Sequence, residues 1–167
     1  MTRWLGIDLG EKRVGLAIAD GDAIDAIARP LQTLRRGRDL SVDVAQLATV
    51  TERERIDELI VGLPLEMSGD EGPQAALTRA WAEAIAVELG LPVGFRDERL
   101  TSHLAETRLG PMKRGRSGGP PSKTQRDAYR ARVDREAAAI ILQDELDTRA
   151  GRRSSTRRTP DPQEIDR

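Results

Sequence analysis

Apolar and polar positions divide the chain into short strands and amphipathic helices. Nearly continuous apolar runs bounded by Gly, Asp and charged turns predict strands, whereas apolar residues recurring every three to four positions predict helices. The predicted strands are 4–9, 14–19, 23–33, 59–63 and 92–97, and the predicted helices are 42–56, 74–89, 101–108 and 130–146. The first three strands follow one another through tight turns, which predicts an antiparallel meander, and Pro30 favours an edge position for the third.

The order β-β-β-α-β-α-β-α-α predicts an α/β fold. An antiparallel meander followed by parallel strands gives one mixed five-stranded sheet flanked by helices. Residues 109–127 hold four Gly and three Pro among basic and polar residues, which is typical of a mobile loop. Residues 149–167 are almost without apolar side chains, so a disordered tail is expected there. We therefore expect one domain over 1–148 followed by the tail.

Composition limits the chemistry that the chain can perform. It has 167 residues, with no Cys and a single His, which excludes disulfides, thiolate metal sites and a Cys nucleophile. Carboxylates, hydroxyls and Arg or Lys remain, and these suit hard metal ions or catalysis without a metal. We expect no membrane contact, because no apolar run approaches the ~20 residues of a membrane helix and no signal peptide is evident.

Charge is unevenly distributed although the whole chain has a net charge of −1. Residues 1–107 carry a net charge of −7 and residues 108–135 a net charge of +7. The candidates for contact with nucleic-acid phosphates are Lys123, Arg126, Arg130 and Arg132, together with Ser68 in the Gly/Pro-rich loop after the fourth strand. A solvated basic loop and an ordinary connection are the corresponding alternatives.

Three acidic residues are the strongest candidates for catalysis. Asp8 lies in an apolar strand between two glycines, and burial of a carboxylate is costly unless it is paired or binds a metal. Glu98, in the pair Asp97-Glu98, directly follows a strand, and the carboxyl ends of parallel strands line ligand sites. Asp134 shares one face of the last helix with its apolar residues.

Each of these acids also has a purely structural explanation. Asp8 could cap the turn after its strand, and Glu98 could pair with a neighbouring arginine at the surface. Asp134 could favour the helix dipole in a first turn. If the three instead meet, they could hold one or two Mg²⁺ or Mn²⁺ ions through oxygen ligands. Two such ions ~4 Å apart promote phosphodiester hydrolysis, so we expect catalytic and metal-binding roles for all three acids in a two-metal-ion nuclease.

The chain resembles the bacterial YqgF/RuvX family in four blocks that occur in the family's order. The blocks are Trp4-Leu5-Gly6-Ile7-Asp8-Leu9-Gly10-Glu11-Lys12-Arg13-Val14-Gly15-Leu16-Ala17, Ile60-Val61-Gly62-Leu63-Pro64-Leu65, Asp97-Glu98-Arg99-Leu100-Thr101-Ser102 and Val133-Asp134 with Ala137 to Leu142. The resemblance implies an RNase H-like fold and a nuclease that matures the 5′ end of pre-16S rRNA in ribosome biogenesis, and therefore a cytoplasmic location. The family's acidic motif positions fall on Asp8, Glu98 and Asp134. Glu66 departs from the family, which often has a neutral polar residue at that place.

The resemblance leaves the substrate open between structured RNA, namely pre-16S rRNA, and branched DNA. Resolution of a Holliday junction requires a symmetric dimer, whereas RNA trimming does not, so either a monomer or a homodimer is expected. A non-catalytic nucleic-acid-binding module is a further alternative. The glycines around Asp8 also resemble the first phosphate loop of sugar kinases and actin-like ATPases, but the chain has length for only one of their two domains.

Overall fold

The computed structural model describes residues 1–156, and strands and helices occupy most of that range. The strands are β1 (Thr2–Leu9), β2 (Arg13–Gly21), β3 (Arg29–Arg35), β4 (Glu58–Leu63) and β5 (Val93–Asp97). The helices are α1 (Leu40–Glu54), α2 (Pro73–Leu89), α3 (Thr101–Leu109) and α4 (Lys123–Thr156). None of the helices in the described range combines the length and the apolar character needed to cross a bilayer.

The five strands form one sheet in the order β3-β2-β1-β4-β5. β2 pairs antiparallel with both β1 and β3, while β4 pairs parallel with β1 and β5. The mixed sheet of meander followed by parallel strands is therefore confirmed, and β3, which contains Pro30, lies at one edge. Because β1, β4 and β5 are parallel, their carboxyl ends meet at one edge of the sheet.

Alternation along the strands separates the two faces of the sheet. In β1, Leu5 and Ile7 point towards α1 and α2, while Trp4 and Gly6 face α4. The α4 face is built largely from small residues, which lets this helix lie close to the sheet. A Cβ on Gly6 would come within 2.7 Å of the Ala138 carbonyl oxygen. α3 packs against α4 in a separate apolar cluster and does not contribute to either sheet face.

Helix α4 begins earlier than the apolar periodicity predicts, so the predicted loop over 109–127 is too long at its C-terminal end. The Ser122 hydroxyl accepts a hydrogen bond from the Gln125 backbone at 3.2 Å, and the Gln125 side chain accepts one from the Ser122 N–H at 2.8 Å. This reciprocal capping box starts the helix at Lys123. Similarly, the predicted third strand over 23–33 is wrong in its first half, where residues 22–26 form a turn.

The predicted disordered tail also begins too early, because α4 continues to Thr156. Arg149 donates two hydrogen bonds to Glu58 on β4, at 2.8 and 2.6 Å, and a third to Glu145 at 2.9 Å. These contacts hold the helix against the sheet beyond its last apolar turn. The remainder of the predicted tail, 157–167, lies outside the described residues. The division of the chain near residue 148 stays a prediction.

Candidate active site

Asp8 and Glu98 come together at the edge where the parallel strands end. Asp8 is the penultimate residue of β1 and Glu98 directly follows β5, and both lie on the α4 face by alternation from Gly6 and Arg96. The Glu98 N–H donates to the Leu63 carbonyl at 3.0 Å, which fixes the chain after β5 to the end of β4. The two carboxyl groups share a side-chain hydrogen bond.

Gly62 provides the space that Glu98 occupies. It lies in β4, between the strands that carry the two acids. A Cβ at this position would come within 2.5 Å of Glu98 Oε2 and within 2.5 Å of Ile141 Cδ1. The absence of a side chain in the middle strand therefore allows Glu98 to fold back over the sheet towards Asp8.

Asp134 reaches the same site from the opposite layer. Asp8 is paired with Gly15 of β2 in the sheet register, and a Cβ on Gly15 would collide with the Asp134 backbone carbonyl. α4 thus passes directly over the Asp8–Gly15 pair, and the Asp134 charge acts on Asp8. Asp134 is far from the first turn of α4, so the explanation of this residue by the helix dipole is wrong.

Arg13 neutralises one of the three acids. Its Nε donates to Asp134 Oδ2 at 2.6 Å, and both side chains are mostly shielded from solvent. Arg13 begins β2 and Asp134 lies 121 positions later, so the pair joins the sheet to α4 directly above the acidic cluster. Arg13 is not among the residues predicted from the sequence: it stands in the first family-like block, but no local pattern identifies its partner.

In the described part of the chain, residues 1–156, no cationic side chain forms an ion pair with Asp8 or Glu98, so the electrostatics of this pair differ. Burial, followed by the neighbouring Asp8 charge, raises the pKa of Glu98 from 4.5 to about 9. Burial also raises the pKa of Asp8, from 3.8 to about 6; the hydrogen bond with Glu98 lowers it and the Asp134 charge raises it. At neutral pH, Glu98 therefore keeps a proton that it donates to the Asp8 carboxylate.

The three predicted acids are thus brought together, but as two pairings: a proton joins Asp8 to Glu98, and Arg13 holds Asp134. Within residues 1–156, no three His, Asp or Glu side chains stand ready in the arrangement of a metal site. Two buried carboxyl groups that share one proton can bind a hard cation through their oxygen atoms when that proton is released. Displacement of Arg13 from Asp134 would add a third donor.

The predicted basic residues occupy different parts of this surface. Arg130 lies one helical turn before Asp134 and lines two cavities of about 300 Å³ with Asp134 and Arg13. Lys123 lines a larger groove nearby. Arg126 is exposed and donates to the Pro121 carbonyl at 2.6 Å, while Arg132 is exposed on α4 and lines none of these three cavities.

The loop after β4 carries the remaining predicted residues. The exposed Ser68 donates its hydroxyl proton to Asp70 at 3.0 Å, so it shapes the loop. Glu66 is also exposed, and its carboxyl lies over Gly72 at the start of α2. The surface pairing considered for Glu98 is instead made by Asp97, which binds Arg99 at 2.7 Å.

Three further residues that line a cavity of the site were not predicted from the sequence. Ser102, Glu106 and Tyr129 line the cavity that contains Arg130 and Asp134. α3 supplies the first two, because it packs on α4 beside the site. A short helix with few apolar residues gives no sequence signal for this position.

A model of the family described as "RuvX: Holliday junction resolvase" matches residues 2–148. The chain belongs to the RuvX family. A relative from Anaeromyxobacter dehalogenans, named "Putative pre-16S rRNA nuclease", is 45% identical over 149 residues, covering 89% of this chain and 98% of that protein. A relative of the same name from Chloroflexus aurantiacus is 39% identical, covering 87% of this chain and 86% of that protein. The predicted family resemblance is confirmed.

Solved structures share the fold at low sequence identity. Thermus thermophilus RuvC superposes with a TM-score of 0.51 at 18% identity, covering 90% of this RuvX-family chain and 97% of that chain. The fowlpox virus Holliday junction resolvase gives a TM-score of 0.51 at 12% identity, with 88% and 99% covered. The predicted RNase H-like fold is thereby confirmed.

Proposed function

We propose that the protein is a metal-dependent nuclease that processes the 5′ end of pre-16S rRNA in ribosome biogenesis. The observation that carries the proposal is the meeting of Asp8, Glu98 and Asp134 at the carboxyl edge of the parallel strands, beside Arg130. The names of the relatives that share about two-fifths of the sequence support this substrate. Maturation of ribosomal RNA would place the protein in the cytoplasm.

The three acids would hold one or two divalent ions after they release the shared proton and the hydrogen bond from Arg13. Asp8 and Glu98 share a proton at neutral pH, and a hard cation such as Mg²⁺ or Mn²⁺ would replace it with direct carboxylate ligation. Asp134 would complete the ligand set on release from Arg13. Bound ions of this kind activate water and stabilise the leaving oxygen of a phosphodiester.

The protein's own residues would position the substrate around these acids. Arg130 lies beside Asp134 in the same cavity, where a guanidinium can hold a phosphate oxygen by bidentate hydrogen bonds. Arg13 already contacts Asp134 and could transfer its hydrogen bond to that phosphate, which would free the carboxylate. Lys123, Arg126 and Arg132 would attract flanking phosphates from the start of α4. Ser68 would contact a phosphate only after its hydroxyl releases Asp70.

Branched DNA is the second candidate substrate. The description of the matching family favours it, and so does the fold shared with RuvC and the fowlpox resolvase. Cutting two strands of a junction symmetrically requires a homodimer, whereas trimming one RNA end requires only a monomer. Sedimentation with and without a four-way junction therefore separates the two activities.

The decisive experiment compares Asp8→Asn with Asp144→Asn, which changes an exposed acid on the outer side of α4. Each is incubated with an RNA that carries the precursor 5′ extension, and with a four-way DNA junction, in Mg²⁺ and in Mn²⁺. We expect Asp8→Asn to lose at least 100-fold in cleavage and Asp144→Asn to retain it. Wild-type rates for Asp8→Asn would refute the assignment, and tight binding without cleavage in either ion would favour the non-catalytic binding module.

A further inference from the structure

A second groove lies beside the acidic cluster, on the side of the edge strand β3. We call it the β3 groove. It has a volume of about 580 Å³ and is formed by the turn between β1 and β2 (11–13), the end of β3 with the residues after it (33–37), and the first turns of α4 (123–131). None of the side chains that line it is aromatic.

The β3 groove is cationic although the first 107 residues are acidic as a whole. Two acidic side chains, Glu11 and Asp127, stand against five cationic ones. The cationic side chains are Lys12, Arg13, Arg35, Arg36 and Lys123. Arg13 and Arg36 have acidic partners in the fold, at 2.6 and 3.7 Å.

The other three cations, Lys12, Arg35 and Lys123, are exposed and form no ion pair with any residue of the described range. They come from three different elements yet line the same groove. Like charges at a shared site repel one another, so their grouping weakly opposes folding. A polyanion that binds all three would remove this repulsion.

The walls of the β3 groove are fixed to one another. The Arg36 N–H donates to the Lys12 carbonyl at 2.9 Å, which ties the end of β3 to the β1–β2 turn. The Thr33 hydroxyl donates to the Ala131 carbonyl at 2.6 Å, which ties β3 to α4. The three cations are therefore presented on a frame that needs no rearrangement to receive a ligand.

The β3 groove adjoins the carboxylate site at Arg13. This residue lines the groove and also both cavities that contain Asp134 and Arg130. A chain of phosphates that lies in the groove would therefore lead past Arg13 to the acidic cluster. The extent of this cationic surface therefore favours a chain of phosphates over a single small anion.

We propose that the β3 groove binds the sugar-phosphate backbone of the substrate strand on one side of the cleavage point, through Lys12, Arg35 and Lys123. The proposal rests on the proposed nuclease function, which supplies the polyanionic substrate. Lysine and arginine release condensed counterions when they contact phosphates, so binding gains free energy that depends on salt. Because the lining has no aromatic side chain for stacking on bases, recognition here is independent of sequence.

The test compares two triple variants that remove equal charge. The groove variant, Lys12→Gln/Arg35→Gln/Lys123→Gln, removes the three unpaired cations of the β3 groove. The control variant, Arg29→Gln/Arg53→Gln/Arg55→Gln, removes three cations near the opposite end of β3, around the start of that strand and the end of α1. Binding of the extended precursor RNA and of the four-way DNA junction is measured in EDTA between 50 and 300 mM NaCl. Thermal unfolding checks that all the proteins are folded.

We expect the groove variant to bind at least tenfold more weakly at about 100 mM salt. Its plot of log affinity against log salt should be shallower by about 2 to 3, since each lost phosphate contact contributes about 0.7 to 0.9. The control variant should differ from wild type by less than 1 in this slope. Equal losses in both variants, or an unchanged slope in the groove variant, would overturn the proposal. Failure of the wild type to cleave either substrate would instead count against the nuclease function, so the two failures are distinguishable.

Discussion

The buried carboxyl pair makes a prediction about stability that is independent of any substrate. Glu98→Gln keeps the shape of the side chain and a hydrogen bond to Asp8 but removes the group that takes up a proton. Burial raises the pKa of Glu98 from 4.5 in the unfolded chain to about 9 in the fold. Between these two values, the native protein holds about one proton more than the unfolded chain.

The sign and size of the effect follow from this difference in bound protons. Stability contributed by a group with a raised pKa is fully present below its unfolded value and is lost as the pH rises through its folded value. Each pH unit in this window lowers the free energy of unfolding by about 1.4 kcal/mol, so about 2.7 kcal/mol is lost between pH 5 and pH 7. Asp8, with its pKa raised to about 6, adds to the loss below pH 6. Because the two groups interact, we expect Glu98→Gln to stabilise the protein at pH 7 by about 1 to 3 kcal/mol.

Urea denaturation in EDTA at pH 5, 6, 7 and 8 measures this effect. Glu88→Gln is the matched control, because Glu88 is exposed on α2, on the other side of the sheet. The wild type and the control should lose stability as the pH rises, while Glu98→Gln should show a flatter profile. Addition of Mn²⁺ should stabilise the wild type more than Glu98→Gln. If Glu98→Gln has the same pH profile as the wild type, or is less stable at pH 7, the inference that this pair holds a proton is wrong.

Three further substitutions test the surroundings of the pair. Arg13→Gln should raise the affinity for Mn²⁺ in calorimetry without nucleic acid, because it removes the cation bonded to Asp134; an unchanged affinity would contradict this. Gly15→Ala should destabilise the protein by about 1 to 3 kcal/mol in urea, since its Cβ collides with α4, whereas Gly119→Ala, whose Cβ meets nothing within 4 Å, should be neutral. Arg149→Met should lower the free energy of unfolding by about 1 to 2 kcal/mol in the same assay, because Glu58 loses its bidentate partner. An unchanged free energy of unfolding would show that this ion pair does not contribute to stability.

The edge of the sheet at which the two strand-borne acids lie was predictable from the order of the strands. Asp8 and Glu98 both lie at carboxyl ends of parallel strands, and the apolar periodicity of β1, β4 and β5 placed these ends at one edge. The order of the strands did not decide which member of the Asp97-Glu98 pair points inward. The space above Gly62 settles this, and it depends on a glycine more than 30 positions away.

Contacts between distant parts of the chain explain the rest of what the sequence did not predict. The start of α4 was the exception, since the capping box of Ser122 and Gln125 is a local signal that apolar periodicity alone overlooks. By contrast, the extension of α4 depends on Arg149 and Glu58, which are 91 positions apart. The pairing of Arg13 with Asp134 spans 121 positions, and no pattern of residue types identifies it in a chain with 27 Lys and Arg.

Helix α4 completes the acidic cluster, and its packing against the sheet also offsets the free energy that the cluster costs in folding. α4 buries Ile141, Leu142 and Leu146 completely against the sheet, and each contributes about 1.5 to 3 kcal/mol. Their sum exceeds the few kcal/mol that two crowded carboxyl groups cost at neutral pH. The close approach that buries these side chains is possible because the strand positions that face α4 are largely Gly and Ala, and it is also what brings Asp134 over Asp8. Stability and the acidic site therefore depend on one feature, the small residues under α4, although the acids themselves oppose folding.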